Sequence, residues 1–134
     1  MANRYLLDTN IVIAGIRGER QVLHRLDEID PGQLLLSAIV VGELLTGVEK
    51  SDQPRRSAQA LKEVVSFMGI ESVDQSVAQQ YATLRAHLES RGHMIGVNDT
   101  WIAAHGLTLG AIVVTANERE FSRVPGLLIE NWIH

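Results

Sequence analysis

The sequence predicts an α/β fold, a parallel β-sheet covered by helices on both faces. Two observations carry this. Short apolar runs alternate along the chain with longer segments of helical period, which is the pattern of βαβ units. The clearest run, AIVV at 111–114, is apolar without alternation, as a strand buried on both sides must be. At 134 residues the chain is expected to form a single domain over 1–134, with a core that needs no covalent staples.

The elements follow in order. RYLL (4–7) reads as a short strand, and NIVIAGIRG (10–18) begins a helix that Gly18 can stop. RQVLHRLDEI (20–29) is helical, with Val22, Leu23, Leu26 and Ile29 on one face, and Asp30-Pro31-Gly32 is a turn. LLL (34–36) reads as a buried strand, after which Ser37 can cap a helix from Ala38 to about Lys50. Beyond the break at 51–54 a second helix turns Ala58, Leu61, Val64, Val65 and Met68 inward, and IESV (70–73) is a short strand. The segment 76–92 is a long helix striped by Val77, Tyr81, Leu84 and Leu88 and ended by Gly92. Another helix runs from Asn98 to Leu109 and stops at Gly110; then come AIVV and a last strand in LLIENW (127–132).

Composition excludes several kinds of chemistry. The chain has no cysteine, so disulfides, thiolate metal sites and a cysteine nucleophile are out, and a reducing compartment suits it. A net charge of −4 argues against general nucleic-acid stickiness and leaves room for a local basic patch. No signal-peptide pattern opens the sequence, and the most apolar stretch, 34–48, is too short to span a bilayer and carries Glu43. The expectation is a cytoplasmic protein with no membrane segment. His24, His87, His93, His105 and His134 show no metal-binding spacing, and His105 reads as a core or rim histidine. G-x-S-x-G and P-loop signatures are absent.

In parallel sheets ligands lie beyond the carboxyl ends of the strands, and three carboxylates satisfy that rule. Asp8 follows the first strand, where it can cap a helix or serve a site. Asp99 lies in the first turn of a helix, where the dipole alone would welcome it. Glu43 sits in AIVVGELLTGV, apolar nearly all round, which predicts a buried helix and a carboxylate needing a metal ion or a distant arginine. Oxygen ligands without His or Cys point to a hard cation such as Mg2+, and such a site supports phosphodiester hydrolysis.

Asp8 in LLDTNIVI, Glu43 in SAIVVGELLTGVEKS, Asp99 in IGVNDTWIAAHGLTLGAIVVTANEREF and the ending RVPGLLIENW together resemble PIN-domain ribonucleases. More closely, they are similar to the VapC toxins of type II toxin–antitoxin pairs, from about residue 4 to the end. The resemblance implies a PIN-like three-layer α/β/α sandwich around a parallel sheet of about five strands. It implies a Mg2+- or Mn2+-dependent endoribonuclease with Asp8, Glu43 and Asp99 as catalytic acids. Asp8 and Asp99 would be the principal metal ligands, with Glu43 close by. Thr9 and Asn10 match the polar pair after the first acid, and Thr115 matches the polar residue ending the fourth strand. Where many relatives carry a fourth acid this chain has Asn117, which adds no charge and leaves one metal ion or two open. Glu118 and Glu120 are near enough in sequence to substitute, although a solvated helical turn is the plainer reading.

The resemblance further implies an RNA substrate, with the C-terminal run similar to toxins that cut initiator tRNA in its anticodon stem-loop. It also implies a VapB-like antitoxin and a homodimer, for which the apolar helices at 38–48 and 58–68 could supply a face. Lys50, Arg55, Arg56 and Lys62 form one basic group, and Arg85, His87, Arg91 and His93 another. Arg85 and Arg91, leading toward Asp99, are the candidate RNA contacts. The alternative is a catalytically weak PIN-like module that binds RNA or a protein partner, its site impaired at Asn117.

Overall fold

The structure is a computed structural model that describes residues 2–133. Tyr5–Leu7 forms β1, three buried residues at the centre of the sheet. On one side β1 pairs in parallel with β2 (Leu34–Ser37), and on the other with β4 (Ile112–Val114), so that Tyr5 faces Leu34 and Ile112. The edges are β3 (Gly69–Glu71) beside β2 and β5 (Ile129–Glu130) beside β4, giving the order β3-β2-β1-β4-β5 with every pair parallel.

The connections explain the layers. From β1 the chain passes through α1 (Thr9–Ile16) and α2 (Arg20–Glu28) to β2, then through α3 (Ala38–Glu49) and α4 (Pro54–Val65) to β3. It returns through α5 (Gln75–Ser90) and α6 (Val97–Leu109) to β4, and α7 (Glu118–Phe121) precedes β5. Strands advance one way from β1 and then the other, and crossovers of one hand put the two sets of helices on opposite faces. The reversal falls between β1 and β4, which opens a crevice at their carboxyl ends. Asp8 and Thr115 stand on its two sides.

Local chemistry accounts for the helix ends. Asp8 and Ser37 cap α1 and α3 with side-chain oxygens, and Asp74 caps α5 by accepting the Val77 N–H. Gly92 (φ +67°) and Gly110 (φ +63°) turn the chain into the left-handed region just after α5 and α6, which other residues rarely enter. Among the described residues no helix is long and apolar enough to cross a membrane.

Four expectations need correction. The last strand is Ile129–Glu130 and not 127–132, because Leu128 is exposed and Trp132 packs its ring beside Tyr5 and under Arg25. On α2, Leu23 points outward and Val22 alone is fully buried; on α4, Ala58 is exposed. The helix carrying Glu43 is not buried all round: only Val40 and Leu44 are fully covered, and Leu45 is 52% exposed. Apolar composition there reflects an uncovered face and not depth. His134 lies outside the described residues.

Candidate active site

Backbone geometry brings the first carboxylate to the crevice. The Asp8 N–H donates to the Val114 carbonyl (2.8 Å), continuing the β1–β4 pairing one residue past the strand. Its side chain is 4% exposed and held by three donors. Oδ1 accepts the Thr9 N–H (2.8 Å), and Oδ2 accepts the Thr115 hydroxyl (2.7 Å) and the Asn10 amide (3.3 Å). Asp8 therefore caps α1 and faces the crevice at once. Burial raises its pKa, the Thr115 and Thr9 bonds oppose that, and the Glu43 charge adds to the rise.

Two bridges bind the remaining residues to this centre. Thr9 donates its hydroxyl to Glu43 Oε1 (2.8 Å), so α3 delivers Glu43 to the first turn of α1. Glu43 is half-buried, which corrects the expectation of a deeply buried charge. Asn10 turns its amide oxygen to the Ala116 N–H (3.1 Å), locking α1 to the loop after β4. Thr115 Oγ1, besides serving Asp8, accepts the Asn117 N–H (2.9 Å).

Asn117 is the second bridge. Its amide group donates to Asp99 Oδ2 (3.1 Å) and to Glu120 Oε2 (2.7 Å). Asp99 enters on the first turn of α6, and its carboxyl is pushed up to about 7. Burial is the main cause, followed by its hydrogen bond with Glu120 and the charges of Asp8 and Glu120. Glu120 is held lower than usual, chiefly by that same hydrogen bond.

Glu120 thus joins the cluster, against the plainer expectation of a solvated turn, while Glu118 is exposed and bonds Asn131 at 3.2 Å. The signal was present in the spacing: residues three apart share a helix face, so an acid at 120 sits over Asn117. Among the described residues no Lys, Arg or His forms an ion pair with Asp8, Glu43 or Asp99. The carboxylates are tied to neutral donors, and no three acidic or histidine side chains among the described residues are drawn around a common centre.

The basic candidates are not part of this network. Arg85 is exposed on α5 and engages Tyr81 Oη (2.8 Å) and Glu89 (3.5 Å), while Arg91 follows the end of α5 and is exposed. Tyr81 stacks on Trp101 with ring centres 3.8 Å apart.

A parallel sheet with linked acids at its reversal point is an architecture that nucleases use, and residues 5–127 match the family model of the PIN domain. Over 131 residues the chain is 39% identical to Ribonuclease VapC2 of Haemophilus influenzae, covering 97% of this chain and 98% of the relative. It is 34% identical to the tRNA(fMet)-specific endonuclease VapC of Shigella flexneri, covering 96% and 98%. The DNA-bound VapBC structure from Salmonella typhimurium contains a chain 32% identical, with a TM-score of 0.92 and coverage of 98% and 99%. The VapBC2 structure from Rickettsia felis, bound to a fragment of its promoter DNA, contains one 34% identical, with a TM-score of 0.91 and coverage of 96% and 98%. The chain belongs to the PIN-domain family, within its VapC ribonuclease branch.

Proposed function

We propose that the protein is the endoribonuclease toxin of a VapBC-type pair, acting in the cytoplasm on tRNA through a divalent metal ion held by Asp8, Asp99 and Glu43. One observation carries the metal-dependent reading: a linked set of carboxylates with no protein cation to balance it, in which Asp99 is pushed up to about 7. The three do not surround one point without an ion, but the Glu43 charge acts on Asp8 and the Asp8 charge on Asp99, a repulsion that a cation drawing them together would relieve. The donors are all oxygens, which fits Mg2+ or Mn2+. Bound there, the ion would acidify a water and offset charge on the phosphodiester.

The remaining chemistry belongs to the chain. Thr115, Asn10 and the Thr9 N–H orient Asp8 and favour its ionised form, partly offsetting the burial that raises its pKa. Thr9 holds Glu43 beside the first turn of α1, where it would orient an attacking water or a metal ligand. Asp99 would hold the cation as a carboxylate, so a bound ion would favour its ionised form. Asn117 donates to both Asp99 and Glu120, bracing a pair that is itself hydrogen-bonded, and Glu120 supplies the fourth carboxylate that Asn117 itself lacks. Arg85 and Arg91 are proposed as phosphate contacts on the approach from α5, which matters for a chain of net charge −4.

Substrate and partner come from the relatives. The Shigella flexneri relative names tRNA(fMet), so initiator tRNA is the first substrate to test, with its anticodon stem-loop as the expected site. The VapBC structures support a VapB-like antitoxin as partner, and a homodimer is proposed with it. The test is cleavage of purified initiator tRNA with Mg2+, with EDTA, and by Asp8→Asn. Loss of at least about 100-fold in both controls is expected; full cleavage in EDTA or by Asp8→Asn would overturn the reading.

A further inference from the structure

The helix that carries Glu43 is held to the core along a narrow apolar strip, with Ile39, Val41 and Val48 only partly covered. Only Val40 and Leu44 of α3 are fully buried. Gly42 and Gly47 interrupt it with open space where a side chain would be, and Ile39, Val40, Val41, Thr46 and Val48 are β-branched. Such a sequence is a poor intrinsic helix former, so anchors outside the helix must fix it. One anchor is Thr9 at Glu43 itself. The other lies at the start of α3 and is buried.

Ser37, at the end of β2, is 0% exposed and caps α3 by accepting the Ile39 N–H at 3.1 Å. The same hydroxyl lies 2.9 Å from Nδ1 of His105, a residue of α6 that is 1% exposed. A buried hydroxyl that already accepts one bond must place its own proton, and Nδ1 is the acceptor at hand. The ring is then neutral with its proton on Nε2. Burial also favours the neutral ring, with the charges of Glu71 and Asp74 pulling the other way. His105 and Asp99 share α6, so this bond ties the helix bearing one acid to the first turn of the helix bearing another.

We propose that His105 is a positioning residue of the active site: through Ser37 it anchors α3 to α6 and so holds Glu43 in register with Asp99. The inference rests on the proposed catalytic role of Glu43, but its structural half can be judged separately. A core histidine that merely fills space would stabilise the whole domain evenly. A positioning histidine acts on one helix and through one carboxylate.

The variants are His105→Phe, which fills the space and leaves the Ser37 hydroxyl unpaired, and His105→Asn, whose Oδ1 falls near the place of Nδ1. Ser37→Ala provides a version that leaves the core volume nearly intact. Hydrogen exchange on the metal-free full chain is read over residues 40–49 of α3 and over α5. For His105→Phe we expect about 5- to 10-fold faster exchange in α3, from the loss of roughly one buried hydrogen bond, and for Ser37→Ala a larger effect because the cap on Ile39 is lost as well, with α5 unchanged in both. His105→Asn should restore most of the protection. For tRNA cleavage, His105→Phe should lower kcat about 10-fold with KM within about 2-fold, and in a Glu43→Gln background the same change should cost no more than about 2-fold.

Faster exchange in all helices together, no change in α3, or failure of Asn to restore protection would each overturn the anchoring. Equal losses of kcat in both backgrounds would overturn the coupling to Glu43. If His105→Phe does not fold, His105→Leu, which is smaller and equally unable to accept the Ser37 proton, answers both questions without touching the α3 cap. If the parent chain cleaves no tRNA, the function proposed above fails and the exchange result still stands.

Discussion

Asp99 is the residue whose environment most opposes its charge. Between its ordinary value of 3.8 and about 7, the folded protein holds a proton on Asp99 that the unfolded chain has released. The folded state therefore binds more protons in that window, and metal-free stability contributed by this group is lost as pH rises through it. Asp99→Asn removes the penalty. The variant should match the parent near pH 4 and exceed it by about 1–2 kcal/mol near pH 8 in EDTA, the half-exposed position having screened part of the repulsion. Thermal melts across that range check it; a parent whose stability does not fall with pH would refute it. Thr115 works in the opposite sense by favouring the ionised Asp8. Thr115→Val should cost about 1–2 kcal/mol of stability, since it takes the shorter of two donors from Asp8 Oδ2 and leaves the Asn117 N–H without its acceptor, and should lower cleavage at least about 10-fold.

At the scale of elements, two helices use glycine for opposite reasons. Gly106 in α6 is where the helix meets the sheet: a Cβ there would lie 2.6 Å from Val113 Cγ2 and 3.3 Å from Leu127 Cδ1. Val113 is β-branched and in a central strand, so it cannot swing aside. Gly106→Ala should destabilise by about 1–2 kcal/mol although alanine is the better helix former by about 1 kcal/mol. In α3 the glycines meet nothing, and Gly42→Ala should stabilise by about 0.5–1 kcal/mol. Urea unfolding of the two variants gives the comparison, and the signs must differ. The alternation of strands and helices was readable because period and caps are local properties. Whether α3 was buried was not, because an apolar helix looks alike in sequence whether or not another surface covers it.

The whole molecule is closed by its C-terminal segment and completed by what it binds. Arg25 of α2 bonds Glu130 (2.9 Å) and lies over the rings of Trp132 and Tyr5, while the Trp132 N–H donates to the same Glu130. Trp132→Ala should therefore cost about 3–4 kcal/mol, read as a lower urea midpoint. Ligand linkage gives a second check on the site. A cation bound only by the folded state raises stability by RT ln(1 + [L]/Kd), about 2.7 kcal/mol at a hundred times Kd. Saturating Mg2+ or Mn2+ should raise Tm of the parent, and Asp8→Asn should abolish most of that rise.

The sequence by itself determined the fold class and the order of elements and singled out Asp8, Glu43 and Asp99 as candidate acids, since strand period, helix caps and motif spacing are written in neighbouring residues. It left Glu120 and Glu118 undecided, and it offered no reason to connect His105 with Ser37. Those depend on distances across the fold. Asn117 reaches Asp99 over eighteen positions because α6 and the loop after β4 converge where the sheet reverses direction, and His105 reaches Ser37 over sixty-eight because α6 packs against the start of α3. Tertiary structure also decided that Glu43 is half-buried and held by Thr9, because burial depends on which surfaces meet and not on how apolar one helix is.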